Sequence, residues 1–163
     1  MAKQSVRPTD SEAEFVCEKY FGLLYKYCFS YLGNSADAED AVSETMLKFM
    51  TKAPEFQSEE HRKAWLLRVS SNICKNMCRF KREKSLSDIE FTAPGERNFE
   101  IIESFMNLPQ KYRSILYLHY IAGYKAREIA EMLDISEAAA KKRLQYARDA
   151  MKSEYEGGCF NEA

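Results

Sequence analysis

Apolar and aromatic side chains recur at three- and four-residue steps through 11–31, SEAEFVCEKYFGLLYKYCFSY, the spacing of a helix that packs one broad face. Gly33 closes it, because glycine takes the left-handed cap conformation without a Cβ penalty. Ser35 opens a second helix, with Asp37, Glu39 and Asp40 placed near the positive end of its dipole. The run ADAEDAVSETMLKFM is expected to bury Ala41, Val42, Met46 and Phe49. Pro54 and its polar neighbours make 51–60 a loop. A third helix, about 60–81, sets Trp65, Leu66, Val69, Ile73 and Met77 on one side and cations on the other.

The pattern then fails. Pro94, Gly95, scattered acids and weak periodicity mark 86–103 as a linker whose last residues already read as helical. Leu108-Pro109 starts a new helix, proline being favoured at the first helical position. QKYRSILYLHY is expected to bury Ile115, Leu116 and Leu118 and to stop at Gly123. Two helices follow in YKAREIAEMLDISEAAAKKRLQYARDAMK. Ile129, Ala130 and Leu133 form the stripe of the first, and Asp134 sits at the turn, where aspartate tolerates a positive φ. Ile135 plugs the gap and Ser136 caps the second helix, whose Leu144, Ala147 and Met151 face inward. The tail, 157–163, has little to pack and is expected to fray. The chain therefore reads as all-α: one helical domain over 10–85, a flexible linker over 86–103 and a second helical domain over 104–156.

Composition agrees with a globular protein, at 45% apolar and 30% charged residues. No apolar run reaches the roughly 20 residues that span a bilayer. MAKQSVRPTDSEAEF lacks the apolar core of a secretory signal, so a cytoplasmic location without membrane insertion is expected. Five cysteines without secretory context argue against a disulfide framework.

Net charge is only −1, but it is unevenly spread. Residues 10–60 carry 11 acidic against 4 basic side chains, and 61–84 carry 8 basic against one acidic. Residues 141–152 carry five basic against one acidic. One acidic and two basic segments suit a protein partner and a nucleic-acid partner held together. The short helix, tight turn and cationic second helix of 124–152 have the geometry that enters a DNA major groove, although a solvated helical hairpin has the same pattern. No nucleophile–base pair, phosphate-cradling loop or metal cluster is visible, so neither catalysis nor a cofactor is expected.

Three segments in order resemble the sigma-70 family, in its extracytoplasmic-function (ECF) branch. DAEDAVSETMLKF (37–49) resembles the core-polymerase-binding helix of the family. FQSEEHRKAWLLRVSSNICKNMCRFKRE (56–83) resembles its promoter −10 recognition and melting segment. LPQKYRSILYLHYIAGYKAREIAEMLDISEAAAKKRL (108–144) resembles its −35-binding domain. The resemblance implies a region 2-like helical bundle and a region 4-like helix-turn-helix. Its implied partners are core RNA polymerase, promoter DNA and an anti-sigma factor.

For the polymerase contact, on the coiled coil of the clamp, the resemblance implies Asp37, Glu39, Asp40, Glu44 and Leu47. For the −10 element it implies a loop, 56–61, that captures a flipped base. His61 ends that loop, and the helix after it carries Arg62, Lys63, Arg68, Asn72, Lys75, Asn76 and Arg79. Of these the resemblance implies Arg62, Arg68, Asn72 and Lys75 as contacts to the non-template strand. Such sites combine apolar pockets with cations that track phosphates. Trp65 fits core packing as well as base stacking. For the −35 element the implied residues are Lys125, Arg127, Ser136, Lys141, Lys142, Arg143, Gln145 and Arg148. Ala138-Ala139-Ala140 departs from the small-Thr-Val run common in the family, which shifts weight toward phosphate contacts and DNA shape.

Two other readings stay open on sequence alone. A stand-alone helix-turn-helix regulator binding duplex DNA as a dimer leaves the basic 61–84 segment unexplained. A redox- or metal-sensing helical protein would be built on Cys74, Cys78 and His61.

Overall fold

The computed structural model describes residues 7–81 and 99–160, with side chains over 7–80 and 101–156. The chain divides into two compact units, Met1–Asp88 and Ile89–Ala163. Every regular element among the described residues is helical.

The first unit packs three long helices, α1 (Asp10–Leu32), α2 (Ser35–Lys52) and α3 (Glu59–Lys81). Thr9 and Glu12 form a reciprocal capping box at the start of α1. Gly33 ends that helix at φ 82°, a left-handed position suited to glycine. Asn34, rather than Ser35, caps α2: its side chain accepts from the Asp37 amide at 2.9 Å, which puts Ser35 inside the first turn.

Val16, Leu24, Tyr27 and Cys28 from α1 meet Ala41, Val42 and Phe49 from α2 and Leu66, Leu67, Ile73 and Cys74 from α3. Thr45 takes a buried place beside them while Met46 is half-exposed. The Thr45 hydroxyl donates to the Ala41 carbonyl at 2.7 Å, and this hydrogen bond makes its burial tolerable. Tyr27 and Ser71 share a buried hydroxyl–hydroxyl bond of 2.6 Å between α1 and α3.

The second unit contains α4 (Phe99–Met106), α5 (Gln110–Leu116), a π-helical turn (Tyr117–Ile121), α6 (Ala126–Leu133) and α7 (Glu137–Phe160). Helix α4 thus begins inside the expected 86–103 linker, most of which lies outside the described residues. Pro109 stands one position before α5, as its N-cap at ψ 144°, and not as its first helical residue. Arg113, only 8% exposed, joins α4 to α5 by donating to the carbonyls of Met106 (3.2 Å) and Leu108 (2.6 Å).

The stretch expected to be one uniform helix instead changes pitch at Tyr117. The amide of Ala122 donates to the Tyr117 carbonyl, five residues back, and Tyr120 and Ile121 are left 60% and 63% exposed. Gly123 follows at φ 85°. The frayed tail expected from 157 is corrected in part, since α7 runs on to Phe160. Once a helix has propagated for several turns, each glycine opposes it by only about 1 kcal/mol.

Candidate nucleic-acid and polymerase interfaces

On α2, Asp40, Glu44 and Leu47 follow one another at helical spacing, and all three are exposed, Leu47 to 61%. Glu39 is exposed on the adjoining line, which Met50 continues about three turns further along the helix. Glu44 lies 4.0 Å from Lys48, a solvated pair that leaves the carboxylate accessible. Asp37 is more committed, since its carboxylate accepts from the Asn34 side-chain amide at 2.8 Å. The outcome is an acidic face interrupted by two exposed apolar side chains.

Ser58 caps α3, its hydroxyl accepting from the His61 amide at 3.1 Å. From there His61, Arg68, Asn72, Lys75 and Arg79 run along one exposed face, with Asn76 beside them. Lys63 is half-exposed. Arg62 is set apart: its side chain is 15% exposed and its guanidinium lies 2.6 Å from Glu59. Trp65 is half-buried, edge-on to Phe49 (6.3 Å) and Phe56 (5.6 Å), so it packs the loop against α2 and α3.

In the second unit Asp134 ends α6 at φ 55°, ψ 49°, the left-handed turn that joins it to α7. The Ser136 hydroxyl accepts from the Ala139 amide at 3.1 Å and so caps α7. Lys141, Lys142 and Gln145 are exposed on α7, Arg143 is half-exposed, and Ala140 faces inward. Lys141 pairs with Glu137 at 3.3 Å and Gln145 bonds Asp149 at 3.2 Å. Lys125 and Arg127 are exposed at the start of α6.

Arg148 points elsewhere. It donates to the Tyr120 hydroxyl at 2.6 Å and approaches His119 at 3.4 Å. There it borders an apolar groove of about 600 Å³ walled by Ile101, Phe105, Tyr120, Ile121 and Met151. The π-helical turn that exposes Tyr120 and Ile121 leaves no trace in hydrophobic periodicity, so neither this groove nor the commitment of Arg148 was legible in the sequence.

Among the described residues no group of three or more His, Cys, Asp or Glu side chains is placed to hold a metal. His61 and Cys74 are 13 residues apart on one helix, about 20 Å. Cys28 and Cys74 are fully buried. The hydrogen bond to Cys28, together with burial, holds the Cys74 thiol far above its ordinary pKa, the setting of an inert core thiol.

The family model for sigma-70 region 2 matches residues 16–84, and that for sigma-70 region 4 matches residues 99–151. The ECF RNA polymerase sigma factor SigW of Bacillus subtilis is 26% identical over 167 residues, covering 89% of each chain. SigL, an ECF sigma factor of Mycobacterium tuberculosis, is 28% identical over 149 residues, covering 83% of this chain and 84% of its own. Among solved structures, the sigma factor RpoE of Bartonella quintana, crystallised with the anti-sigma factor NepR, is similar in fold. Its TM-score is 0.71 at 18% identity, over 90% of this chain and 98% of that one. The chain belongs to the sigma-70 family, in its ECF branch, and is an RNA polymerase sigma factor.

Proposed function

We propose that this sigma factor docks on core polymerase through the outer face of α2, reads the −35 element with α6 and α7, and opens the −10 element with α3 and the loop before it. Asp40, Glu44 and Leu47 supply an acidic and apolar docking face suited to a basic helical surface. Lys125, Arg127, Ser136, Lys141, Lys142, Arg143 and Gln145 lie on or beside the helix-turn-helix, where they suit phosphate and base contacts. The protein works in the cytoplasm with the polymerase. An anti-sigma factor is a further partner, as for the Bartonella relative.

The observation that carries the melting assignment is the face of Arg68, Asn72, Lys75 and Arg79. It is exposed, cationic and uninterrupted, and it starts beside an aromatic-walled loop. Cations alone would bind duplex. An amide among them, about two turns along the same helix from the aromatic wall, suits bases that have left the stack.

Replacing Asn72 and Lys75 with alanine is expected to reduce open-complex formation on a duplex promoter, read by permanganate footprinting. Mismatches that pre-open the −10 bubble should restore most of it, because unstacking costs a few kcal/mol. Equal melting by variant and parent would move strand capture off this face.

A further inference from the structure

Arg62 lies at the edge of the proposed strand-binding face yet is withdrawn from solvent. Its guanidinium is 2.6 Å from Glu59 Oε1, and its Nε is buried with no hydrogen-bond partner. Its guanidinium carbon sits 5.5 Å from the centroid of the Phe56 ring, a cation–π distance. Phe56 belongs to the loop between α2 and α3. Phe49 stacks on it at 6.2 Å, and His61 meets it edge-on at 5.3 Å.

The second oxygen of Glu59 looks the other way. Oε2 accepts from the Tyr20 hydroxyl at 2.8 Å and lies 3.6 Å from Lys19 Nζ. Tyr20 is 5% exposed, in the core face of α1. A continuous connection therefore runs from α1 through Tyr20, Glu59 and Arg62 to Phe56. It ends beside the exposed loop residues Gln57 and Ser58. The Gln57 amide also donates to His61 Nδ1 at 3.4 Å, so the loop is held from both sides.

From this geometry we infer that Tyr20, Glu59 and Arg62 are positioning residues for reading the −10 element. They fix the Phe56 loop relative to the exposed face of α3, and the loop in turn sets which base is accepted. The inference rests on the −10 assignment above. It removes Arg62 from the phosphate-contacting set and gives it a role through Phe56. A neutral tyrosine, a carboxylate and a half-buried guanidinium form a poor phosphate site but a directional tether. Each oxygen of Glu59 has its own partner, so the carboxylate plane and the guanidinium fork are both oriented.

The test uses the full chain with core polymerase on promoters whose −10 region is pre-opened by mismatches. Each base at the −10 element is varied, and binding is followed against salt. In R62A, E59Q and Y20F, preference between the best and second base should fall, by about fivefold in R62A. The slope of log affinity against log salt should stay at the parental value, because no phosphate contact is lost. K75A should lower that slope by about 0.7, the value for one contact to a single strand.

A reduced slope in R62A with base preference intact would overturn the inference and make Arg62 a phosphate contact. Unchanged preference in all three variants, while K75A still lowers the slope, would also overturn it and leave the −10 assignment standing. An unchanged slope in K75A would remove the −10 assignment itself, and the positioning role with it. Y20F keeps the ring in the core and removes only the hydroxyl. A loss of base preference in that variant, at parental melting temperature, separates positioning from unfolding.

Discussion

A guanidinium at 8% exposure is tolerable only where its donors are met, and Arg113 meets them with the carbonyls of Met106 and Leu108. Those carbonyls lie where α4 gives way to α5, so the side chain closes a helix end. Arg113→Ala is expected to destabilise the protein by about 1.5–3 kcal/mol, the range for hydrogen bonds to charged groups, as read by urea denaturation. Glu59 offers a test in pH. The Tyr20 hydrogen bond, then Arg62 and Lys19, hold its carboxyl below the usual glutamate range. A carboxylate lowered on folding adds stability above its unfolded pKa, about 4.3, and loses it as pH falls through the folded value. The stability difference between parent and E59Q should therefore be constant at neutral pH and shrink below about pH 4. Chemical denaturation at a series of pH values measures it, and a difference unchanged down to pH 2 would deny the carboxylate its role.

Elements show where periodicity suffices and where it does not. Helices α1, α2, α3, α6 and α7 follow from apolar spacing, and the Gly33 cap, the Asp134 turn and the Ser136 cap follow from local chemistry. The pitch change at Tyr117 does not, because a π-helical turn inserts one residue without altering composition. Helix α2 carries a prediction of its own. Asp40 and Glu44 are solvent-facing, so Asp40→Lys with Glu44→Lys should leave stability within about 0.5 kcal/mol per site. The same pair should weaken binding to core polymerase, measured by competition on immobilised core. Unchanged affinity would take this face out of the interface.

At the scale of the whole molecule, the two surfaces proposed to contact DNA lie in separate compact units. Seventeen residues separate Lys81 from Phe99, and a chain of that length reaches at most about 60 Å. Two elements roughly two helical turns apart lie about 70 Å from each other. On the proposed function, bridging them takes the full reach of the connection together with the breadth of the two units, at an entropy cost that binding to core polymerase is expected to offset. Free protein should bind a full promoter duplex weakly and with steep salt dependence, and the polymerase complex should bind tightly through two tethered modules. Gel shifts with and without core polymerase on one fragment compare the two. Tight sequence-specific binding by the protein alone would contradict this division of labour.

Helical class, the order of elements and the helix-turn-helix were determined by the sequence itself, because they depend on residues a few positions apart. Apolar period, cap and turn chemistry are all local properties. Which cations are free was decided only by tertiary structure. Arg113 and Arg148 are indistinguishable by composition from Arg68 or Arg79, and Arg62, which has a local partner in Glu59 three residues before it, takes its ring contact from the fold. Yet Arg62 reaches Phe56, Arg113 reaches the end of α4, and Arg148 reaches Tyr120, 28 residues away. A long cationic side chain takes its partner from whatever packing brings within about 6 Å, and that distance is set between elements. The same holds for Tyr20 and Glu59, 39 residues apart and joined at 2.8 Å only because α1 packs against the start of α3.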